Sequence, residues 1–444
     1  MSLTYVVVGA TGFLGTAICR NLAEGFRERG EPQPPRVVAV ARSLGVGPEL
    51  STLIHRTSDN GQPLVELEVA DSEGICVPYL ESLYAEVCGG KIDGIFHVAG
   101  LVKHTKNPQA VAMMRVANVE LADAIFTFAQ THNIRTVYAS SSGVVGCQFL
   151  QDKLKVAHDD SDLCEATIAA FPYYQQKVEV EAHWRPKALR GRVPIIFMRP
   201  SLLLGPGDDR LSSTRVVLDH LTGNIPFLPK GGMSFVDVRD AADAFVSAMI
   251  NTEVVPGAAL NITAVNIPFS DFARILEDGT HIKAARFEIP SNLATVGGKL
   301  LARLTSAVGR QVDEGRDPVF IEMGQRFWNV TCQRALQLLE FDPREPKDTI
   351  RDTARYLIRE LDLREKGATF VQGTKSPRRV SPENVLPGSK TPPATSPSSS
   401  YHPHNSTTRT VTTRLTRVAI AVAVVFVMLY LLVSLYANAP LSSP

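Results

Sequence analysis

The sequence is poor in the residues that mark several functional classes. Six cysteines stand among 444 residues, at 19, 76, 88, 147, 164 and 332, and no two form a CxxC pair. That spacing argues against a zinc site, so no metal is expected. In a body this large it also argues against a disulfide framework and for a reducing compartment. Neither sign of charge is in excess: 46 Lys and Arg against 45 Asp and Glu leave +1, so no basic field for nucleic acid is expected. The start MSLTYVVVGATG has no basic leader and no cleavable apolar core, so no secretory signal is expected. The three glycosylation-type sites at Asn261, Asn329 and Asn405 are accordingly read as chance matches on the cytosolic side.

The charge that is present is unevenly placed. Between 366 and 417 there are eight Lys or Arg and one acid, and 418–444 carries no charged side chain. Subtracting that +7 from +1 overall leaves −6 on the first 365 residues. Residues 366–417 also hold seven prolines and many Ser and Thr, which reads as a disordered basic linker unable to bury enough surface to offset its ordering entropy. Residues 418–437, VAIAVAVVFVMLYLLVSLYA, are long enough as a helix to span roughly 30 Å, the hydrocarbon thickness of a bilayer. Arg409, Arg414 and Arg417 precede them, and Arg excess marks the cytoplasmic side. The expectation is a single-pass, tail-anchored membrane protein with its body in the cytosol, on the endoplasmic reticulum, with the mitochondrial outer membrane as the alternative.

Within the body, 44% hydrophobic content supplies a full core. Apolar runs at 4–8, 36–41, 92–97, 136–140 and 194–198 alternate with helical patterns at 16–29, 110–132 and 173–184. Such alternation predicts an α/β fold with a doubly wound parallel sheet covered on both faces. From about 205 Pro and Gly become frequent, and helices are predicted over 238–250, 270–276, 294–307, 331–339 and 348–361. The expected organisation is one domain over 1–365, with a cofactor part over about 1–200 and a small substrate lobe mainly over 205–360.

The first strand runs into Gly9-Ala10-Thr11-Gly12-Phe13-Leu14-Gly15 and then a helix. In a dinucleotide site Gly9 permits the tight turn, Gly12 lets the backbone approach the pyrophosphate, and Gly15 lets the helix pack against the strand. The helix N-terminus offers free N–H groups to the phosphates. The second strand ends in Ala41-Arg42 rather than in an acid. A guanidinium there suits a 2′-phosphate, which favours NADP(H) over NAD(H), with stacking of Arg42 on adenine as the alternative. Asp71, after the third strand, is placed to accept from the adenine amino group, or is an exposed turn residue.

Two segments carry candidate chemistry: Ala139-Ser140-Ser141-Ser142-Gly143 after a strand, and Tyr173-Tyr174-Gln175-Gln176-Lys177. Tyr173 and Lys177 are i, i+4 and share one helix face. A neighbouring ammonium favours phenolate and would lower a tyrosine by roughly 1–3 units, bringing an acid–base group closer to neutral pH. A strand-end serine can hold a substrate oxygen.

With GATGFLG (9–15), FHVAG (96–100), RVANVE (115–120), SSSGVVG (140–146), YYQQK (173–177), RPSLLLGPGD (199–208) and GGMSFVDVRDAADAF (231–245), the chain resembles the extended short-chain dehydrogenase/reductase family of the NAD-dependent epimerase/dehydratase superfamily. Within it the chain looks like the dihydroflavonol-4-reductase-like reductases, over about residues 3–360. The resemblance implies Ser141 as the catalytic serine, with Ser142 as runner-up. It also implies Tyr173 as general acid/base, and Lys177 as the residue that binds the nicotinamide ribose and tunes Tyr173. Cofactor contacts are implied for Gly9, Thr11, Gly12, Phe13, Leu14, Gly15, Arg42, Asp71, Ala99, Gly100, Tyr173, Lys177 and Pro200. His97 is expected to be a structural hydrogen-bonder, and Asn118 to shape the helix beside the site. The implied activity is hydride transfer to or from a hydrophobic ketone, aldehyde or alcohol. A sterol or 3β-hydroxysteroid dehydrogenase and a nucleotide-sugar epimerase or dehydratase are the alternatives. Expected partners are a small lipid, sterol or phenolic substrate and the membrane, with a homodimer possible.

Overall fold

The computed structural model describes residues 3–25, 34–42, 45–57, 61, 63–70, 74–223, 225, 228–280, 282, 288 and 318–365. The expected linker 366–417, the expected span 418–437, the predicted helix 294–307, Asn405 and Asp71 lie outside the described residues. Among the described residues no helix is long and apolar enough to cross a membrane.

Seven strands form one parallel sheet: β1 Thr4–Val8, β2 Arg36–Ala41, β3 Glu66–Val69, β4 Gly94–His97, β5 Thr136–Ala139, β7 Ile195–Pro200 and β10 Ala259–Ile262. Their order is β10-β7-β5-β4-β1-β2-β3. The order reverses between β1 and β4, where an open α/β sheet has its binding crevice. Alternate residues explain why the strands read as unbroken apolar runs. Tyr5 and Val7, Val37 and Ala39, Ile196 and Met198 enter one core, while Val6 and Val8, Val38 and Val40, Ile195 and Phe197 enter the other. With both faces covered, most strand positions are apolar, and a polar one such as Arg199 is buried with a partner.

The first core lies under helices Phe13–Arg20, Pro48–His55 and Val238–Ile250, and the second under Leu121–His132 and Pro172–Leu189. In the second core Phe126 meets Tyr138 and Trp184 edge-on, with centroids at 5.2 and 5.4 Å. Such pairs add about 0.5–1.5 kcal/mol each beyond burial. The helix Pro108–Arg115 continues through a π turn, Val116–Glu120, into Leu121–His132.

A second, mixed sheet is built from β6 Cys147–Phe149, β8 Leu202–Leu204, β9 Gly232–Asp237, β11 Val265–Pro268 and β12 Arg326–Trp328. Its lobe has its own core around Phe235, Phe272, Leu276, Ile350 and Leu357. The chain is not divided cleanly at residue 205. Val238–Ile250 and β10 return to the large sheet, where Phe245 and Met249 pack, while β6 is lent to the small one. All six cysteines are free. Asn261 and Asn329 are buried, which removes both as glycan acceptors in the folded protein.

Candidate active site

At the crevice, Gly9 has φ +97°, and a Cβ there would lie 2.5 Å from the nitrogen of Ala99. The turn after β1 and the exit of β4 thus touch backbone to backbone, which only glycine permits. A Cβ at Gly15 would lie 2.2 Å from the Gly9 carbonyl oxygen, so the helix starts directly on the turn. Gly12 caps that helix from an extended conformation, with no side-chain cap. A carboxylate or hydroxyl cap would occupy the place where an anion can meet the first N–H groups. These cradles fit a dinucleotide pyrophosphate. Thr11 Oγ1 accepts from an Arg210 guanidinium nitrogen at 3.2 Å, which links the small lobe to the turn.

Beside the turn opens a cavity of about 180 Å³, lined among others by Thr11, Gly12, Phe13, Glu49, Asp208, Asp209 and Arg210. Leu14 is buried, Ala99 is half-buried and Gly100 exposed. Arg42 is exposed directly after β2, at the strand end where sequence placed it.

The helix Pro172–Leu189 begins with proline at its first position, where no intrahelical N–H bond is lost. Tyr173, Lys177 and Glu181 follow at intervals of four along one face. Lys177 is buried and donates to the Ala139 carbonyl at 2.7 Å and to the Tyr138 hydroxyl at 3.1 Å, at the end of β5 that leads into Ser141. Ser141 is half-buried and its Oγ accepts from the Gly143 N–H at 3.2 Å. Ser142, the runner-up, is buried and its N–H donates to the Pro200 carbonyl at 3.0 Å, tying the ends of β5 and β7 together. Lys177 and the serine loop therefore meet at one strand end.

Two sequence expectations need correction. Tyr173 is not lowered toward neutral pH. Burial raises it well above its ordinary value, and no opposing effect of Lys177 is resolved. The reason is tertiary: aromatic rings pack around the phenol and disfavour its anion, while burial lowers Lys177 to about 7, so it is a weaker source of charge. His97, in turn, makes no hydrogen bond to the protein among the described residues. It is fully buried at the end of β4, and neither ring nitrogen meets a protein partner there. It packs as a ring against Tyr138 and Phe126 at 5.1 and 5.8 Å, and burial together with Lys177 lowers it to about 3, so it is neutral.

Asn118 sits in the π turn, where wide turns often mark functional sites. It accepts from the Leu101 N–H at 2.8 Å and donates to the Leu101 carbonyl and to Gln176 Oε1, both at 3.0 Å. It thereby fixes the loop leaving β4 against the Lys177 helix. Sequence reasoning missed the aromatic lining around Tyr173. His104 meets Tyr173 edge-on at 6.1 Å and stacks with Tyr174 at 6.2 Å, and Tyr174 lies 4.8 Å from Trp328. Trp328 comes from 155 residues downstream of Tyr173, so no local pattern announces it. Tyr174 also fills the space over Gly143, where a Cβ would come 2.3 Å from its ring.

No curated protein matches the chain significantly. The crystal structure of gox2253 superposes with TM-score 0.62 at 21% identity, covering 81% of this chain and 99% of that one. UDP-glucose-4-epimerase from Stenotrophomonas maltophila, solved with bound NAD and formylated UDP-arabinopyranose, gives 0.59 at 18% over 81% and 99%. A nucleoside-diphosphate-sugar epimerase from Pseudomonas aeruginosa gives 0.58 at 16% over 83% and 99%. These likenesses carry the fold. The model of the NAD dependent epimerase/dehydratase family matches residues 5–263, from β1 to the end of β10, so it takes in the whole seven-stranded sheet and its glycine turn. By that match, and by the cradle at Gly9 and Gly15, the chain belongs to the NAD dependent epimerase/dehydratase family.

Proposed function

We propose that the protein is an NAD(P)-dependent oxidoreductase acting on a small hydrophobic ketone, aldehyde or alcohol, as in dihydroflavonol-4-reductase-like enzymes, with a sterol or 3β-hydroxysteroid as the alternative substrate. The observation that carries this reading is a run of rings that starts at Tyr173: His104 and Tyr174 meet it, Trp328 packs on Tyr174, and Phe320 lies 6.2 Å from His104. Such rings suit an apolar body with one polar group to be oriented.

Gly9, Thr11, Gly12, Phe13, Leu14, Gly15, Ala99, Gly100 and Pro200 would hold the dinucleotide, with Arg42 favouring the 2′-phosphate of NADP(H). When bound, the cofactor supplies the hydride acceptor or donor. Tyr173 gives or takes the proton at the substrate oxygen through its hydroxyl, and its raised ionisation suits the acid role in reduction. Ser141 holds that oxygen through Oγ. Lys177 orients the ribose from the floor of the site. The aromatic side chains exclude water from the reacting oxygen.

The second reading is a nucleotide-sugar epimerase. It draws on the superposed epimerases and on Arg210, a cation beside the cavity. Incubation with NADPH and a panel of aromatic and sterol ketones, against UDP-glucose, separates the two. Ketone-dependent loss of NADPH absorbance is expected. Epimerised UDP-sugar without net cofactor turnover overturns the oxidoreductase reading.

The tail anchor is proposed on sequence alone. The full chain is expected to resist carbonate extraction, residues 1–365 to be soluble, and protease outside intact vesicles to digest the body. A protease-protected body overturns this topology.

A further inference from the structure

One turn beyond Lys177 on the same helix face, Glu181 is fully buried and faces Arg199 of β7, also fully buried. The guanidinium grips both carboxylate oxygens: Nε donates at 3.0 and 3.2 Å and a terminal nitrogen at 2.6 Å. Its other terminal nitrogen donates to the Asp159 carbonyl at 3.0 Å. The same carboxylate accepts from the hydroxyl of Ser140, the residue between Ala139, which Lys177 holds, and Ser141.

A closed ion pair like this one is weak grounds for stability, because apolar residues of similar volume often serve as well. Its placement suggests another role. Lys177 carries a charge in a floor with few means of sustaining it. From β4 it faces His97, a neutral ring. From β5 it faces the Tyr138 hydroxyl and the Ala139 carbonyl. The π turn offers the amide of Asn118, whose oxygen, like Lys177 Nζ, lies within 4 Å of where a Cβ at Gly100 would sit. On its own helix lie Tyr173, un-ionised, and Glu181, which is paired with Arg199. Glu181 is the acid among these groups.

We propose that Glu181 is a positioning residue for the site: its carboxylate, clamped by Arg199, fixes through Ser140 the strand end that carries Ser141, and places a counter-charge one helical turn from Lys177. The attraction of Glu181 opposes the effect of burial on Lys177 and keeps the ammonium protonated to higher pH. The inference rests on the reading of Lys177 as a cofactor-binding group.

The test is the pH dependence of NADPH binding to the full chain, followed by nucleotide fluorescence in wild type, Lys177→Met, Glu181→Gln and Glu181→Asp. Wild type is expected to lose affinity as Lys177 deprotonates. Lys177→Met should lack that limb. Glu181→Gln should shift it down by at least one pH unit, and Glu181→Asp should restore part of the shift. A Glu181→Gln limb that overlays wild type, with only a pH-independent loss, overturns the proposal and leaves Lys177 in place. A wild type without a limb, bound no more tightly than Lys177→Met, overturns both. If Glu181→Gln does not fold, Glu181→Met combined with Arg199→Met removes the carboxylate without stranding the guanidinium. A smaller shift in the same direction is expected of it, because the Arg199 cation leaves with the carboxylate, and an unmoved limb sinks the idea.

Discussion

The glycine turn after β1 and the face of the Pro172–Leu189 helix serve one site but are held in different ways. At Gly9 the constraint is a hard contact, with a Cβ 2.5 Å from Ala99 N and φ at +97°. At Tyr173, Lys177 and Glu181 the constraint is solvent exclusion and the partners that replace water. The first fails abruptly when one carbon is added. The second fails by degrees, through proton affinity and orientation, with the fold standing.

The most damaging change should be Gly9→Ala. It forces apart the turn and the exit of β4 and strains the backbone, for a loss on the order of 3 kcal/mol in urea unfolding and no measurable dinucleotide binding. Gly61→Ala is the contrast: φ is +80° but a Cβ would meet nothing within 4 Å, so only about 1 kcal/mol should be lost. Equal losses at the two glycines would mean that φ alone, and not the contact with Ala99, sets the requirement.

Tyr173→Phe should come next. Removing the hydroxyl takes away the proton carrier and leaves the ring packing, so kcat should fall by roughly 100-fold or more while the dissociation constant for NADPH stays put. Near-normal kcat with a working substrate would take Tyr173 out of the reaction.

Lys177 yields a stability signature. Its folded value of about 7 lies below the ordinary 10.5, so the unfolded chain binds more protons between those values. Stability therefore rises with pH through that window, and the penalty of burying the ammonium is fully present below about 7. Tyr138, Tyr173 and Tyr174 are raised by burial and act oppositely, lowering stability above roughly 10, where unfolded tyrosines ionise. Cys19, Cys88, Cys147, Cys164 and Cys332 are also raised by burial and lower stability once unfolded thiols ionise, at roughly 8.5. The clean range is thus about pH 7–8. Wild type should gain about 1 kcal/mol across it, and Lys177→Met should start higher and stay flat there. Parallel curves for the two proteins would show that Lys177 is not the titrating group.

The mildest effect is expected at Arg42, which lies exposed at the strand end. Wild type should favour NADPH over NADH in kcat/KM, and Arg42→Asp should shift that ratio by about 10-fold toward NADH, the size of one lost charged contact. A wild type that already prefers NADH would remove the 2′-phosphate reading.

Much of this was legible because it is local. The strands at 4–8 and 36–41 and the helix at 238–250 have the residues that sequence assigned, since strands buried on both faces are largely apolar runs. The GxxGxxG spacing announced the turn for the same kind of reason. Less was legible where partners come from afar. Val238–Ile250 was recognised as a helix but assigned to the small lobe, because its apolar stripe does not say which sheet it covers. Glu181 lies four residues past Lys177, a signal that was available, yet its partner Arg199 is on another strand. His97 looked like a hydrogen-bonder by residue type, and its ring environment from β5 and the Leu121–His132 helix made it an aromatic filler.

The sequence by itself determined the strand–turn–helix that receives a dinucleotide, because backbone sterics and side-chain periodicity act over a few residues. It also determined the pairing of Tyr173 with Lys177 on one face, because the helical repeat fixes it. Only the tertiary structure decided the state of those two groups. A proton's affinity depends on how much water is excluded and which charges replace it. That balance was set by His104 on Tyr173, by Tyr138 under Lys177, and by Glu181 with its partner Arg199, which the fold gathers from four separate stretches of chain.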